Sequence, residues 1–171
     1  MSETDLVIEG MGQHSPFPRF SARECSQTLM PLPSGSLRRT INGELVRVGG
    51  RTHQKFCSII TCKDQTTPAF GNFWAGAYVK VGCIQTLTQS IPALASSVVL
   101  ERDPLKVCVQ DTKGVEILNP RYEGKTVFLP PDFPGGFVTY NPWLEMLVKT
   151  YRLETDEWGA TVGWTLELEE K

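Results

Sequence analysis

The sequence has few side chains that titrate near neutral pH. Its 171 residues include only two histidines, His14 and His53. A serine or cysteine nucleophile needs a basic partner, and histidine is the most common one. His14 lies in a proline-flanked segment and His53 opens a predicted strand, and neither position favours a rigid catalytic base. The scarcity of histidine therefore argues against most hydrolase mechanisms.

The sequence also lacks the short motifs that carry common chemistries. It contains no glycine-rich nucleotide loop, no His-Glu-x-x-His metal motif and no Gly-x-Ser-x-Gly nucleophile elbow. The two carboxylates of a glycosidase face each other across a cleft. Glu167 and Glu169 instead occupy polar positions of one predicted strand, where solvated charge is expected. We therefore expect a non-enzymatic protein that carries no cofactor.

Long apolar runs and a strong charge of either sign are absent as well. No apolar run approaches the roughly 20 residues of a membrane-spanning helix. Residues 1–5 have neither the basic start nor the apolar stretch of a secretory signal, so we expect synthesis in the cytoplasm. The formal net charge of −2 argues against binding nucleic acid by phosphate neutralisation. We expect neither a membrane nor a specific nucleic acid as a partner.

The cysteines are odd in number and form no Cys-x-x-Cys pair. The five are Cys25, Cys57, Cys62, Cys83 and Cys108. In a protein made in the cytoplasm we interpret them as reduced thiols, most of which pack as small apolar side chains. The alternative is a metal or iron–sulfur site with Cys57, Cys62, Cys83 and either Cys25 or Cys108 as thiolate ligands. The wide spacing disfavours that site, because zinc ligands usually come in close pairs.

What the sequence does contain is the pattern of an all-β protein. Residues 160–169 alternate strictly between apolar and polar side chains, which predicts a strand with one buried face. Residues 143–154 would form its antiparallel partner, with the turn at 155–159. Asn42-Gly43 separates two alternating segments, 37–41 and 44–48, and predicts a hairpin with a two-residue turn. We predict an antiparallel β-sandwich or barrel with long hairpins.

Proline, glycine and the strand pattern together suggest the domain organisation. Residues 1–35 are punctuated by proline and predict an irregular N-terminal arm with a short strand near 22–30. Residues 36–171 form a single β domain, with long strands at 53–63 and 77–87. Within it, residues 97–135 predict short strands, which belong either to a small inserted subdomain or to the main sandwich. Residues 129–136 read as an exposed loop.

Charge is distributed unevenly along the chain. Arg38, Arg39 and Arg47 lie on the predicted hairpin, while acidic residues such as Glu167 and Glu169 crowd the C-terminal end. The asymmetry is either incidental or marks a contact in which the basic hairpin of one copy meets the acidic edge of the next. Trp158 lies at a predicted turn tip and is a candidate interface anchor. These six residues are the interface candidates.

Two stretches also resemble a known group of proteins. They are the early run FSARECSQTLM (20–30) with LRRTINGELV (37–46), and the C-terminal run TDEWGATVGWTLELEE (155–170). Together they resemble small tail-tip or baseplate proteins of siphophages, including Mu-like phages that infect Pseudomonas. The resemblance covers the two ends and the first long strands, whereas residues 97–135 match nothing familiar.

The resemblance implies a structural role in the virion. It implies a distal-tail-like β-sandwich or barrel whose long hairpins build a ring at the end of the tail tube. The implied partners are further copies of the chain, in a ring of six in preference to three, together with the tail tube, hub and fibre proteins. The implied location is the tail tip of the virion. Identical heterologous contacts close into such rings.

Two alternative functions stay open at this stage. Some siphophage hub proteins carry cysteine-bound iron–sulfur clusters, and the resemblance extends to a hub component that uses the cysteines named above. The other alternative is a carbohydrate-binding β-sandwich module, in which Phe73 and Trp74 of the 64–76 loop would stack on a sugar ring.

Overall fold

The structure, a computed structural model, describes residues 4–10, 15–19, 21–32, 36–49, 54–64, 66–159 and 162–171. Within these ranges the chain forms fourteen strands and no helix, which confirms the all-β prediction. The strands are β1 (Val7–Glu9), β2 (Ser26–Pro31), β3 (Ser36–Arg39), β4 (Leu45–Val48), β5 (Phe56–Asp64), β6 (Tyr78–Gly82), β7 (Leu87–Ile91), β8 (Ser97–Val99), β9 (Pro104–Asp111), β10 (Glu116–Ile117), β11 (Tyr122–Glu123), β12 (Thr126–Phe128), β13 (Gly136–Thr155) and β14 (Val162–Glu170).

The first sheet is antiparallel, with the strand order β1-β6-β13-β14-β5-β2, and it curls into a half-barrel. Its inner face carries the alternating apolar residues of β14, so that Trp164, Leu166 and Leu168 are buried as the pattern predicts. They pack with Val79 and Val81 of β6 in the larger of two hydrophobic cores. The period-two alternation of β14 therefore places its apolar side chains on the core face.

The long strand β13 connects two parts of the molecule. Its first half pairs with β7 on one side and β9 on the other, and its second half pairs with β6 and β14. A shift of register between Val148 and Thr150 inserts Lys149 as a bulge, after which Tyr151 takes over the core face. With twenty residues at roughly 3.3 Å each, β13 extends for about 65 Å.

The second core lies around the first half of β13. Val138 and Tyr140 of this strand pack there with Val109 of β9 and Val127 of β12. The strands β8, β11 and β12 form a separate three-stranded sheet in the order β11-β12-β8. Residues 97–135 thus supply β9 to the sheet on β13 and also the small sheet, and their buried side chains share a core with β13.

The N-terminal segment differs in part from an irregular arm. The predicted short strand is present as β2, which pairs with β5, and β1 adds a further edge strand beside β6. Leu6, Ile8 and Ala22 are buried in the larger core. These apolar side chains hold the described part of residues 1–35 against the protein's own sheet.

The predicted turn at Asn42-Gly43 is wrong by one residue. Arg39 pairs with Leu45, and the Thr40 amide donates to the Glu44 carbonyl at 2.9 Å, so the loop contains three residues, 41–43. Gly43 has a φ of +81°. This is the hairpin in which a type I turn is followed by a glycine in the left-handed region.

Glycine also explains why β13 begins earlier than predicted. Residues 129–136 were expected to be an exposed loop, yet Gly136 is buried and opens β13 between β7 and β9. A Cβ at this position would overlap the carbonyl oxygen of Gln110 and lie 2.8 Å from the Cα of Asp111. Gly136 is therefore needed for the close approach of β13 and β9, and it does not mark a flexible loop.

Candidate functional site

Apart from Cys25 and Cys62, whose thiols are in contact, the cysteines proposed as metal ligands lie in different parts of the fold. Cys62 and Cys83 are buried in the larger core, and Cys57 lies on the opposite face of β5 from Cys62. Cys108 pairs with Thr139 in the sheet around the first half of β13. Over the residues that the structure describes, no group of three or more histidine, cysteine or acidic side chains is arranged to hold a metal ion.

One polar cluster is built around the buried Asp64 at the end of β5. Its carboxylate accepts hydrogen bonds from the Ala22 amide at 2.6 Å, the Arg23 amide at 3.1 Å and the Trp164 indole at 2.8 Å. Burial alone would raise the pKa of Asp64, but the hydrogen bonds from Trp164, Cys62 and the two amides outweigh it and lower that pKa. The cluster attaches the N-terminal segment to β5 and β14.

The thiols near this cluster are held in the protonated form. Cys25 directly precedes β2, whose first residue, Ser26, pairs with Thr61 of β5, and the thiols of Cys25 and Cys62 are in hydrogen-bond contact. Burial raises the pKa of Cys25 and of Cys83 to about 11 and also raises the pKa of Cys62. A thiolate is the form that attacks an electrophile, so these cysteines are poor nucleophiles.

We expect the purified protein to be colourless and free of iron, because the described part of the chain brings no three of its cysteine, histidine or acidic side chains together as a ligand set. Purification without oxygen, which preserves an iron–sulfur cluster, should give no absorbance band near about 400 nm. Metal analysis before and after treatment with a chelator is the control. A brown protein with stoichiometric iron would restore the iron–sulfur alternative.

The residues considered for catalysis do not converge. His14 and His53 lie outside the described residues. Glu169 forms an ion pair with Lys149 at 2.9 Å on the outer face of β14, and Glu167 lies on the same face. Phe73, considered for sugar stacking, is buried against Phe70 with the ring centroids 5.0 Å apart, whereas Trp74 is exposed. The proposed stacking pair is therefore reduced to one aromatic side chain.

An ion pair between Arg102 and Glu170 was not predicted from the sequence. The Arg102 guanidinium contacts the Glu170 carboxylate at 2.7 Å and donates to the Gln54 carbonyl at 2.8 Å, and the Phe56 amide donates to the same carboxylate at 2.9 Å. The contacts fix the chain where it enters β5. The two partners are 68 positions apart, and neither lies in a motif that could have paired them.

The most unusual surface is the hairpin of β3 and β4, residues 36–48, which we name the basic hairpin. Every one of its residues is exposed, and within the described ranges β3 and β4 pair only with each other. It exposes the aliphatic side chains of Leu37, Ile41, Leu45, Val46 and Val48. Arg38, Arg39 and Arg47 stand directly across from Val46, Leu45 and Leu37. Both faces therefore combine aliphatic and cationic side chains.

A second exposed feature is the turn between β13 and β14, residues 153–159, which we name the acidic tip. It carries Glu154, Asp156 and Glu157, and Trp158 at its end is 90% exposed. The Gly159 amide donates to the Asp156 carbonyl at 3.1 Å and closes the turn. Tryptophan is one of the side chains enriched at the energetic centres of protein interfaces.

The strands that lead to the basic hairpin and to the acidic tip leave the first sheet at opposite ends of β5. The chain leaves the basic hairpin and enters β5 at Phe56, and Cys57 pairs with Glu169. At the other end of β5, Asp64 pairs with Val162, the first residue of β14 after the tip. The nine residues of β5 span about 27 Å. The sequence had grouped the acidic residues into one edge, but Glu167 and Glu169 lie on the outer face of β14, away from the tip.

Comparisons with models of known protein families and with curated protein sequences find no match. None of the described segments forms a helix that is long and apolar enough to cross a membrane. The two exposed hairpin ends are the most distinctive features of the described surface.

Proposed function

We propose that the chain is a structural subunit of a phage tail tip, which assembles with copies of itself into a ring at the distal end of the tail tube. In that position it would connect the tube with the hub and the fibres. We favour six copies over three. The proposal places the protein in the virion and gives it no catalytic role.

The basic hairpin is the observation that carries the proposal. An isolated two-stranded hairpin is marginally stable in water, and stability normally needs a third strand or a packed face. The hairpin exposes Ile41 fully and Leu37 to 67%. Solvent is a poor environment for such a surface, and another subunit would cover it and order the hairpin.

The sequence resemblance supports the same role. Two of the stretches that resemble siphophage tail-tip proteins, 37–46 and 155–170, contain most of the basic hairpin, part of the acidic tip and β14. Rings built from long β-hairpins are what the resemblance implies. A net charge of −2 suits a lumen through which DNA passes without binding, because like charges repel.

The proposal predicts that the chain is found at the distal end of the tails of particles that carry its gene. Antibodies raised against the purified chain and coupled to gold should label that end in negative-stain micrographs. Particles produced after deletion of the gene should be tailless or unlabelled, and they provide the control. Purified tailed particles in which mass spectrometry detects none of the chain would contradict the proposal.

A further inference from the structure

Opposite charge at opposite ends of one sheet suggests how copies of the chain meet. The basic hairpin presents Arg38, Arg39 and Arg47, and the acidic tip presents Glu154 and Glu157 among its exposed residues. The chain reaches the hairpin from the Phe56 end of β5, and the tip extends from the Asp64 end, so that the points of departure are separated by the length of β5, about 27 Å. This arrangement favours contact between the tip of one copy and the hairpin of another.

The apolar side chains of the two features complement each other as well. Trp158 is 90% exposed and Leu153 is 43% exposed at the tip, and Leu37 and Leu45 are 67% and 56% exposed on the hairpin. Tryptophan and arginine are the side chains most often found at the energetic centre of interfaces. An indole can stack beneath a guanidinium while neighbouring carboxylates pair with other guanidinium groups.

We propose that the acidic tip of one copy docks against the basic hairpin of the next, with Trp158 among Leu37, Leu45 and the arginines. The proposal deepens the proposed function, on which it rests, by naming the two surfaces that join neighbouring subunits. The contact is heterologous, because two different surfaces meet. Repetition of such a contact closes into a ring when the rotation between copies permits closure.

A second copy is the occupant that the charges favour. Both complementary surfaces are present on the same chain. When two copies join, the hairpin of one copy and the tip of the other remain exposed, so that a further copy can bind at each end. Unlike charges across such a contact increase the rate of association and fix the register, and like charges in the same place oppose it. Reversal of the charges on one surface should therefore block assembly, and reversal on both should restore it.

The test uses two variants of the full chain. The first carries Arg38→Glu with Arg39→Glu, and the second carries Glu154→Arg with Glu157→Arg. In each variant alone, like charges face each other at every contact, and we expect association to weaken by about a hundredfold or more. In a 1:1 mixture the two variants can alternate, so that one contact joins two reversed surfaces and the next joins two unreversed ones. Opposite charges then meet at every contact, and association should return to within about tenfold of the wild type.

Sedimentation velocity over a concentration series measures the effect. The control variant carries Lys113→Glu with Lys125→Glu, which changes the net charge as the first variant does but on exposed lysines at turns beside the second core. We expect it to associate as the wild type does. Circular dichroism of each variant confirms that the fold is retained.

The mixture also reports the number of copies. Alternation of two variants closes a ring only when the number of subunits is even, so a mixture that closes supports six copies and a mixture that forms open chains supports three. A wild-type chain that stays monomeric at its highest soluble concentration would overturn the interface. So would variants that assemble alone. The gold label tests the proposed function separately: label at the tail tip would support the function even if the contact fails, and absence of that label would contradict the function even if the contact holds.

Discussion

Replacement of Asp64 by asparagine is expected to lower the free energy of unfolding by about 2–4 kcal/mol, which corresponds to a decrease in Tm of roughly 5–15 °C. The carboxylate accepts hydrogen bonds from two amides and the Trp164 indole. An asparagine side chain offers one oxygen and turns an NH2 group toward donors, so at least one buried donor loses its partner. Urea denaturation followed by circular dichroism measures the change.

The pH dependence provides a second readout of the same contact. The folded pKa of Asp64 lies below its ordinary value of 3.8. Its stabilising contribution is therefore complete above pH 3.8 and is lost as the pH falls through the lower folded pKa. The difference between wild type and Asp64→Asn should shrink in that acid range. The exposed Asp103→Asn is the matched control, with a change within about 0.5 kcal/mol. Equal stability of wild type and Asp64→Asn at pH 7 would contradict this account.

Replacement of the basic hairpin, residues 36–48, by a short Gly-Ser linker is expected to separate folding from assembly. None of its side chains belongs to either hydrophobic core. The free energy of unfolding should change by less than about 1 kcal/mol, because little apolar surface leaves the core. Self-association should be lost, because the surface proposed to bind Trp158 has been removed. Denaturation and sedimentation velocity of the same sample measure both effects.

A control variant distinguishes loss of the apolar surface from loss of length. It keeps the full length of the basic hairpin but replaces Leu37, Ile41 and Leu45 by threonine, which preserves strand propensity. We expect its stability to match the wild type and its association to weaken as in the linker variant. A linker variant that fails to fold while the threonine variant folds and assembles would show that the hairpin belongs to the fold.

The sequence predicted those parts of the fold that local alternation controls. Apolar side chains at Trp164, Leu166 and Leu168 alternate with polar ones, and a strand with this period has only one way to bury them. The hairpin around Asn42-Gly43 was also predicted, because glycine in a short polar turn between two strands has a specific backbone role. The number of residues in its loop depended on a register that the dipeptide alone does not determine.

The missed features depend on contacts between distant residues. Gly136 resembles a loop glycine in the sequence, and only the close approach of β9 shows why a strand needs it. The bulge at Lys149 changes which residues of β13 face the core and has no local signature. The Asp64–Trp164 hydrogen bond joins residues 100 positions apart. Such pairs arise from the order of strands in the sheet, which alternation does not specify.

The candidate site shows the same division. The sequence identified Arg38, Arg39 and Arg47 as one cluster and Trp158 as a turn-tip residue, and the structure places them on two separate hairpin ends. It did not show that these ends lie at opposite extremes of β5, because their separation follows from the pairing of β5 with β14. That separation turns a charge asymmetry into a geometry suited to contacts between copies.

The mass of the purified chain in solution tests the central claim, contact between copies through the two hairpin ends, most directly. Light scattering behind a sizing column, with an absorbance spectrum of the same peak, should give a colourless species of three or six times 19.1 kDa as the concentration rises. A species of 19.1 kDa at every soluble concentration would contradict that claim.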